Sequence, residues 1–426
     1  MPKTAAESPA GAGGYAEKLQ SFAGRTLLPR LQASTRDFIL GLALTYRFTY
    51  QELRQTAQAA RDLEMWRERP FEPLWADLES ATPSHGRERK KALLRGLQER
   101  LRNLSRGPKT YPESGLDPPT RRRVSLEERR TDKEVLGLCP AYSEQTVCCG
   151  LYTIDAVRGC PFGCSYCTIQ TFYGETAELE ADLSTKLAAI ELDPGRRYHI
   201  GTGQSSDSLV WGNRGDHLEA LLGFAADHPN VLLELKTKSD NIRYLTEARV
   251  PENVVCSWSL STDTLIRNEE HYTASLRRRL DAARSVADSG IRVAFHFHPM
   301  VHYLGWRAGY SEASRQLVDR FSIPEVAFLS MGSVTLIKPV VQEIRRRGGD
   351  TKILQMELVP DVHGKLTYPD AIKLELFQHL YRGLEPWHGG VFFYLCMEPT
   401  HIWERTFGRA YATNEAFEED FLGALL

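Results

Sequence analysis

The chain has 426 residues, of which 42 % are hydrophobic and 25 % charged, with a formal net charge of −2. That is the make-up of an ordinary globular protein of one large domain, or one large and one small. It excludes a polycation that coats nucleic acid along its whole length, and the longest apolar run, Phe38 to Tyr46, is too short to cross a bilayer.

Residues 1–14 are rich in Ala, Gly and Pro and are expected to form a disordered tail. Met1 to Tyr15 has no apolar core, so a secretory signal is not expected. From Tyr15 to Leu104 apolar residues recur at helical spacing, as in Ile39, Leu42 and Tyr46, and again in Leu93, Leu97, Leu101 and Leu104. The pattern predicts a helical N-terminal region over 15–106, three or four helices interrupted at Pro70, Pro73 and Pro83. Four prolines and two glycines between Gly107 and Pro119 predict a basic linker over 107–135. From Arg87 to Arg130 fourteen Lys and Arg stand against six Asp and Glu. Such a run suits a stripe that tracks phosphates, and equally a solvated helix face followed by a linker.

Beyond residue 135 strands alternate with helices. Strands are predicted at Leu151–Val157, Tyr198–Gly201, Val231–Leu235, Val254–Leu260, Ile291–Phe297 and Val326–Met331. Asp216 is expected to cap one helix, and another begins near Ser275 and stops at Gly290. Alternation of this kind implies parallel pairing with right-handed crossovers. The predicted fold is α/β, a partial (β/α)6 barrel over 136–426 with a C-terminal extension, preceded by the small helical region. Chemistry in such barrels gathers at the C-terminal ends of the strands.

The first strand runs into Arg-Gly-Cys-Pro-Phe-Gly-Cys-Ser-Tyr-Cys, which carries Cys160, Cys164 and Cys167. Three thiolates on one loop can hold three corners of a [4Fe-4S] cluster and leave one iron open to a cofactor. The expected occupant is S-adenosyl-L-methionine, whose reductive cleavage yields a carbon radical. The competing reading is structural zinc, with Cys148 or Cys149 as a fourth ligand. Free thiols that ligate metal point to a reducing, cytoplasmic setting.

With its later segments, the sequence resembles the radical S-adenosylmethionine superfamily, and within it the spore photoproduct lyase branch. The resemblance rests on the cysteine motif and on Gly-Thr-Gly-Gln-Ser-Ser-Asp (201–207), Glu-Leu-Lys-Thr-Lys-Ser (234–239), Ser-Trp-Ser-Leu-Ser (257–261) and His-Phe-His-Pro-Met-Val-His-Tyr-Leu-Gly-Trp (296–306). It runs from about Cys148 to Phe407 and leaves residues 1–135 outside. It implies cluster ligation by Cys160, Cys164 and Cys167, and places Tyr166 near the adenine of the cofactor. It also implies that Gly201, Thr202 and Gly203 approach the methionine amino group, that Lys238 pairs with the carboxylate, and that Ser259 and Ser261 lie beside the ribose. The implied reaction is lyase-like: a 5′-deoxyadenosyl radical abstracts hydrogen from a damaged pyrimidine in DNA. An external electron donor of flavodoxin or ferredoxin type would charge the cluster.

Two positions depart from the family. Its hydrogen-donor cysteine is replaced by Gln204, and the tyrosine after the last cluster cysteine by Thr168. Amide and alcohol groups are poor hydrogen-atom donors, so a radical reaction on a non-DNA substrate stands as the alternative, beside a zinc-bearing nucleic-acid-binding protein. Cys396 is read as a small buried residue or a substitute donor. His296 and His298 share one face of a strand and, with His302, are read as cavity lining, as ligands of a second metal, or as hydrogen-bonded barrel histidines. Asp207, Lys236 and Glu398 are further candidates for cavity lining. No residue is assigned a catalytic role, and the sequence is silent on oligomeric state.

Overall fold

The computed structural model describes residues 12–426 apart from 122 and 173. Most of the expected tail, 1–11, therefore lies outside the described residues, as does Arg122 of the basic run. Two compact units divide the chain. One is helical and runs up to Lys109, joined by Val341–Glu357; the other holds Thr110–Val340 and Leu358–Leu426.

The helical unit comprises α1 (Ala12–Ala23), α2 (Ala33–Tyr46), α3 (Tyr50–Met65), α4 (Phe71–Ser80) and α5 (Gly86–Arg106). Helix α3 starts at a capping box: Thr49 accepts from the Glu52 amide at 3.3 Å and the Glu52 carboxylate accepts from the Thr49 amide at 2.7 Å. Its Ala57 and Ala60 bury without bulk, which lets Leu53, Trp75, Leu93 and Leu97 close one core. The segment Val341–Glu357 joins this core through polar ties. The Arg345 guanidinium donates to both Asp62 carboxylate oxygens at 2.7 and 2.9 Å, and the Thr351 amide to the Met65 carbonyl at 2.9 Å.

The barrel unit opens with β1 (Ser125–Arg129), inside the stretch expected as linker, followed by β2 (Leu136–Leu138) and β3 (Tyr152–Ile154). The strand expected over Leu151–Val157 is broken. The Asp155 amide extends the pairing with β2 to the Val135 carbonyl, its side chain accepts from Ser205 at 2.6 Å, and β4 (Val157–Arg158) then pairs away from the main sheet. Next come β5 (Gly163–Cys164) and β6 (Thr176–Glu180), which pairs with β1 and β4. The chain continues through β7 (Tyr198–Thr202), α6 (His217–Asp227), β8 (Val231–Thr237) and β9 (Val254–Ser259). It then forms β10 (Glu270–His271), α7 (Leu276–Asp288), β11 (Val293–Met300), β12 (Val326–Ser333), β13 (Phe392–Leu395) and α8 (Asn414–Leu425).

The main sheet has the order β13-β12-β11-β9-β8-β7-β3-β2. All its pairs are parallel except β2 with β3, so the six expected strands stand in sequence order and β13 adds a seventh. This is the expected partial barrel. Helix α7 begins where expected, with Ser275 as its cap. The cap of α6 differs: Asp216 makes no capping bond, and Asn213 accepts from the Leu218 and Glu219 amides at 2.9 and 3.1 Å. A carboxamide three residues upstream reaches the free amides because Asp216 itself is left-handed.

Parallel register sorts the side chains by face. Leu233, Leu235, Cys256, Trp258, Phe295, Phe297, Leu329 and Met331 form one apolar, fully buried face. Each such large side chain is worth roughly 1.5–3 kcal/mol of burial. The alternate positions carry His199, Glu234, Lys236, Ser257, Ser259, His296, His298, Ser330 and Tyr394. Phe421 of α8 covers the start of that polar face, its ring 5.1 Å from His199 and 5.3 Å from Phe328. The strand ends at Gly203, Lys238, Ser261 and Val301 lie beyond the opposite, C-terminal edge of the sheet.

Candidate cluster and cofactor site

The cysteine loop is fixed at both ends by backbone. Gly159 takes φ +99°, donates to the Ser205 carbonyl at 2.8 Å, and would place a Cβ 3.0 Å from the Ala177 Cα. Only glycine fits there. Cys164 lies in β5, paired antiparallel with Glu270 of β10, and the Ser165 amide donates to the Glu269 carbonyl at 2.8 Å. The Cys167 amide turns back to the Cys164 carbonyl at 3.1 Å. A small cleft beside the loop is lined by Cys160, Phe162, Ile169 and Tyr272 among others.

The three thiols sit within electrostatic reach of one another. Burial pushes the Cys160 thiol well up, reinforced by Asp207 and by Cys167 and Cys164. Cys164 is likewise driven up by burial, with Lys238 pulling against it. Thiols so placed resist ionisation until a metal centre supplies the compensating charge. Among the described residues no three His, Cys, Asp or Glu side chains form a ready shell for a metal ion. The loop itself offers three thiols, the donor set of a cluster with an open iron, whereas tetrahedral zinc needs a fourth ligand.

Beside the loop, Tyr166 donates its hydroxyl to the Glu270 carboxylate, and Lys238 lies 5.8 Å over the Tyr166 ring and 4.0 Å from Glu270. Glu270 is buried; burial would raise its carboxyl, but Arg279 and Lys238 together hold it below the usual range. Arg279 is itself fully buried. It donates to Glu270 at 2.6 Å, to the Ala274 carbonyl at 2.8 Å and to the Ser259 carbonyl at 2.7 Å. Tyr166, Lys238 and Ser259 thus meet around one ion pair, with Ser259 taking part through its backbone. Sequence patterns do not single out Glu270 or Arg279; a carboxylate at a two-residue strand has no local signature.

Gly201, Thr202 and Gly203 end β7 next to the end of β8. Gly203 takes φ +90°, and a Cβ there would lie 2.7 Å from the Lys236 carbonyl. Thr202 shares a hydrogen bond of 2.6 Å with Ser208. Asp207 accepts from the Lys238 amide at 2.6 Å and from the Thr237 hydroxyl at 2.7 Å. It therefore clamps the β7 loop to the end of β8. Ser261 is buried beyond the end of β9.

The polar face of the sheet holds a continuous network. Glu234 accepts from His199 Nε2 at 2.9 Å, His296 Nε2 at 2.5 Å and Ser257 at 2.5 Å. Ser330 joins His296 Nδ1 at 2.5 Å to His298 Nε2 at 3.1 Å. Burial pulls His296 down to about 4, helped by Lys236 and opposed by Glu234. A neutral His296 with its proton on Nε2 satisfies every partner. The histidines are hydrogen-bonded barrel residues. His302 stands apart, its amide donating to the Tyr368 hydroxyl at 3.0 Å.

Cys139, Cys148, Cys149 and Cys396 form a second group. An isolated antiparallel bridge joins Val147, just before Cys148, to Glu398, two residues after Cys396. The charges that bear most on Cys149 come from Cys148, Cys396 and Cys139, not from the cluster loop. Cys148 and Cys149 are both buried in this group. Glu398 accepts from Lys373 at 2.8 Å and from Ser333 at 3.2 Å, a buried pair behind the same strand.

Residues 142–332 match the family model described as spore photoproduct lyase. Curated spore photoproduct lyases from Clostridium acetobutylicum and Geobacillus sp. are 24 % and 23 % identical over 183 and 210 residues. These alignments cover 42 % and 47 % of this chain, and 54 % and 62 % of the relatives, so the chain spans little more than half of their length. A solved spore photoproduct lyase complexed with dinucleoside spore photoproduct shares the fold: TM-score 0.55 and 21 % identity over 63 % of this chain and 82 % of that one. The segment 142–332, a little under half of the chain, is thus similar in sequence to spore photoproduct lyases, and the barrel shares their fold.

Proposed function

We propose that the protein is a radical S-adenosylmethionine enzyme that abstracts hydrogen from a damaged pyrimidine in DNA. The observation that carries this is the pairing of β5 with β10, which sets three thiols beside the Tyr166–Lys238–Glu270–Arg279 group. Cys160, Cys164 and Cys167 would hold a [4Fe-4S] cluster, and Tyr166, Lys238, Ser259, Ser261 and Gly201–Gly203 the S-adenosylmethionine. Loaded, the pair supplies a 5′-deoxyadenosyl radical. Lys238 would meet the cofactor carboxylate, and the bare backbone at Gly203 would let its amino group approach; the nearness of Lys238 to Glu270 and the close packing of Gly203 support this reading. The solved relative holds a dinucleoside lesion, which favours a nucleic-acid substrate. A flavodoxin or ferredoxin type donor and a cytoplasmic setting complete the reading.

Gln204 and Thr168 are both exposed and neither offers a weak X–H bond. That favours a second reading, a radical reaction on a non-DNA substrate in which hydrogen returns from deoxyadenosine. Ultraviolet-irradiated DNA, incubated anaerobically with reconstituted enzyme, dithionite and S-adenosylmethionine, separates the two. Lesion-dependent loss of a photoproduct is expected; deoxyadenosine without any change in the DNA would remove the DNA reading and keep the radical one.

A further inference from the structure

The two units carry opposite charge. The helical unit has 23 Lys and Arg against 15 Asp and Glu, a net of +8; the barrel unit has 30 against 40, a net of −10. The near-neutral total hides this division. If the barrel acts on DNA, most of its own surface charge works against the phosphates, and attraction must be supplied elsewhere.

Helix α5 concentrates the positive charge. Arg87, Lys91, Arg95, Arg102 and Arg106 follow at intervals of four, four, seven and four residues, so they share one face within about 100° of arc. All five are exposed. Lys91 pairs with Glu88 and Arg106 with Glu357, each loosely at 3.2–3.3 Å, while among the described residues no side-chain hydrogen bond or ion pair is seen for Arg87, Arg95 or Arg102. Glu99 borders the face, also exposed. From Arg87 to Arg106 the row is about 28 Å long at 1.5 Å per residue. That approaches one turn of a DNA duplex.

We propose that this face of α5 binds the phosphate backbone of double-stranded DNA without reading its sequence. The helix has no Phe, Tyr or Trp, so it offers no platform for unstacked single-stranded bases. Its leucines, Leu93, Leu94, Leu97, Leu101 and Leu104, are buried or half-buried, so nothing on the face would insert into a lipid surface. The proposal rests on the DNA reading above and adds where duplex affinity originates.

The test is binding of a labelled, undamaged duplex to the full-length protein, by anisotropy across a series of salt concentrations. A variant with R87Q, K91Q, R95Q and R102Q is compared with wild type and with R243Q/R277Q on the barrel unit. The α5 variant should lower the slope of log K against log salt by about 0.9 for each phosphate it no longer neutralises, roughly 2–4 in all, with R243Q/R277Q unchanged. An unaltered slope, or binding of phosphatidylserine vesicles in preference to duplex, would overturn the proposal. Turnover of an irradiated dinucleotide, which offers no duplex for α5 to hold, checks the DNA reading separately. Its retention beside an unaltered slope would strike down the α5 assignment alone.

Discussion

The barrel unit and the helical unit use charge in opposite ways. In the barrel, ionised groups are drawn inside and matched: Glu234 among three donors, Glu270 with Arg279, Glu398 with Lys373. In the helical unit Asp62 with Arg345 is buried in this manner, and most other cations stand in water. Buried charge is costly to strand, so it fixes where strands and loops lie. Exposed, unpaired charge contributes almost nothing to stability and is free to serve a ligand. Substitutions should separate these roles by size.

The largest effect is expected at Glu234→Ala, which leaves His199, His296 and Ser257 without their acceptor in the sheet interior. A loss of about 3–5 kcal/mol in denaturant unfolding is expected. A loss below about 1 kcal/mol would mean that the network is not a structural one. Asp62→Ala should cost less, about 2–3 kcal/mol, because Arg345 retains some access to water. It should also raise protease sensitivity within Val341–Glu357.

A pH series gives the next effect. Burial alone would raise Glu180, but hydrogen bonds from Thr131 and Lys186 override it and hold the carboxyl at about 2. Because this value is below that of the unfolded chain, its stabilisation is full above about pH 4.5 and fades as pH falls toward 2. Glu180→Gln should flatten that part of the acid limb. The smallest effect should come from the four α5 substitutions, with stability within about 0.5 kcal/mol of wild type while duplex affinity falls.

What was legible in the sequence follows the same division. Spacing alone marked Cys160, Cys164 and Cys167, and period-two alternation put His296 and His298 on one face. Local pattern could not show that Asp155 breaks the first strand or that Glu270 and Arg279 sit under Tyr166 and Lys238. The Tyr166–Glu270 bond joins residues about a hundred positions apart, and no periodicity encodes it. The basic run was visible, but whether its cations were paired depended on which acids the fold brought near. The sequence marks Asp207 as a polar residue at a strand end, but its hydrogen bonds to Thr237 and Lys238, about thirty positions on, are set only by the fold.

The most direct measurement is low-temperature paramagnetic resonance of anaerobically reconstituted, reduced protein with and without S-adenosylmethionine, alongside iron and sulfide analysis. Four irons, four sulfides and a signal that shifts when the cofactor is added are expected, with all three lost in Cys160→Ala/Cys164→Ala/Cys167→Ala. Stoichiometric zinc without sulfide, or a cluster signal indifferent to the cofactor, would contradict an open iron at this loop.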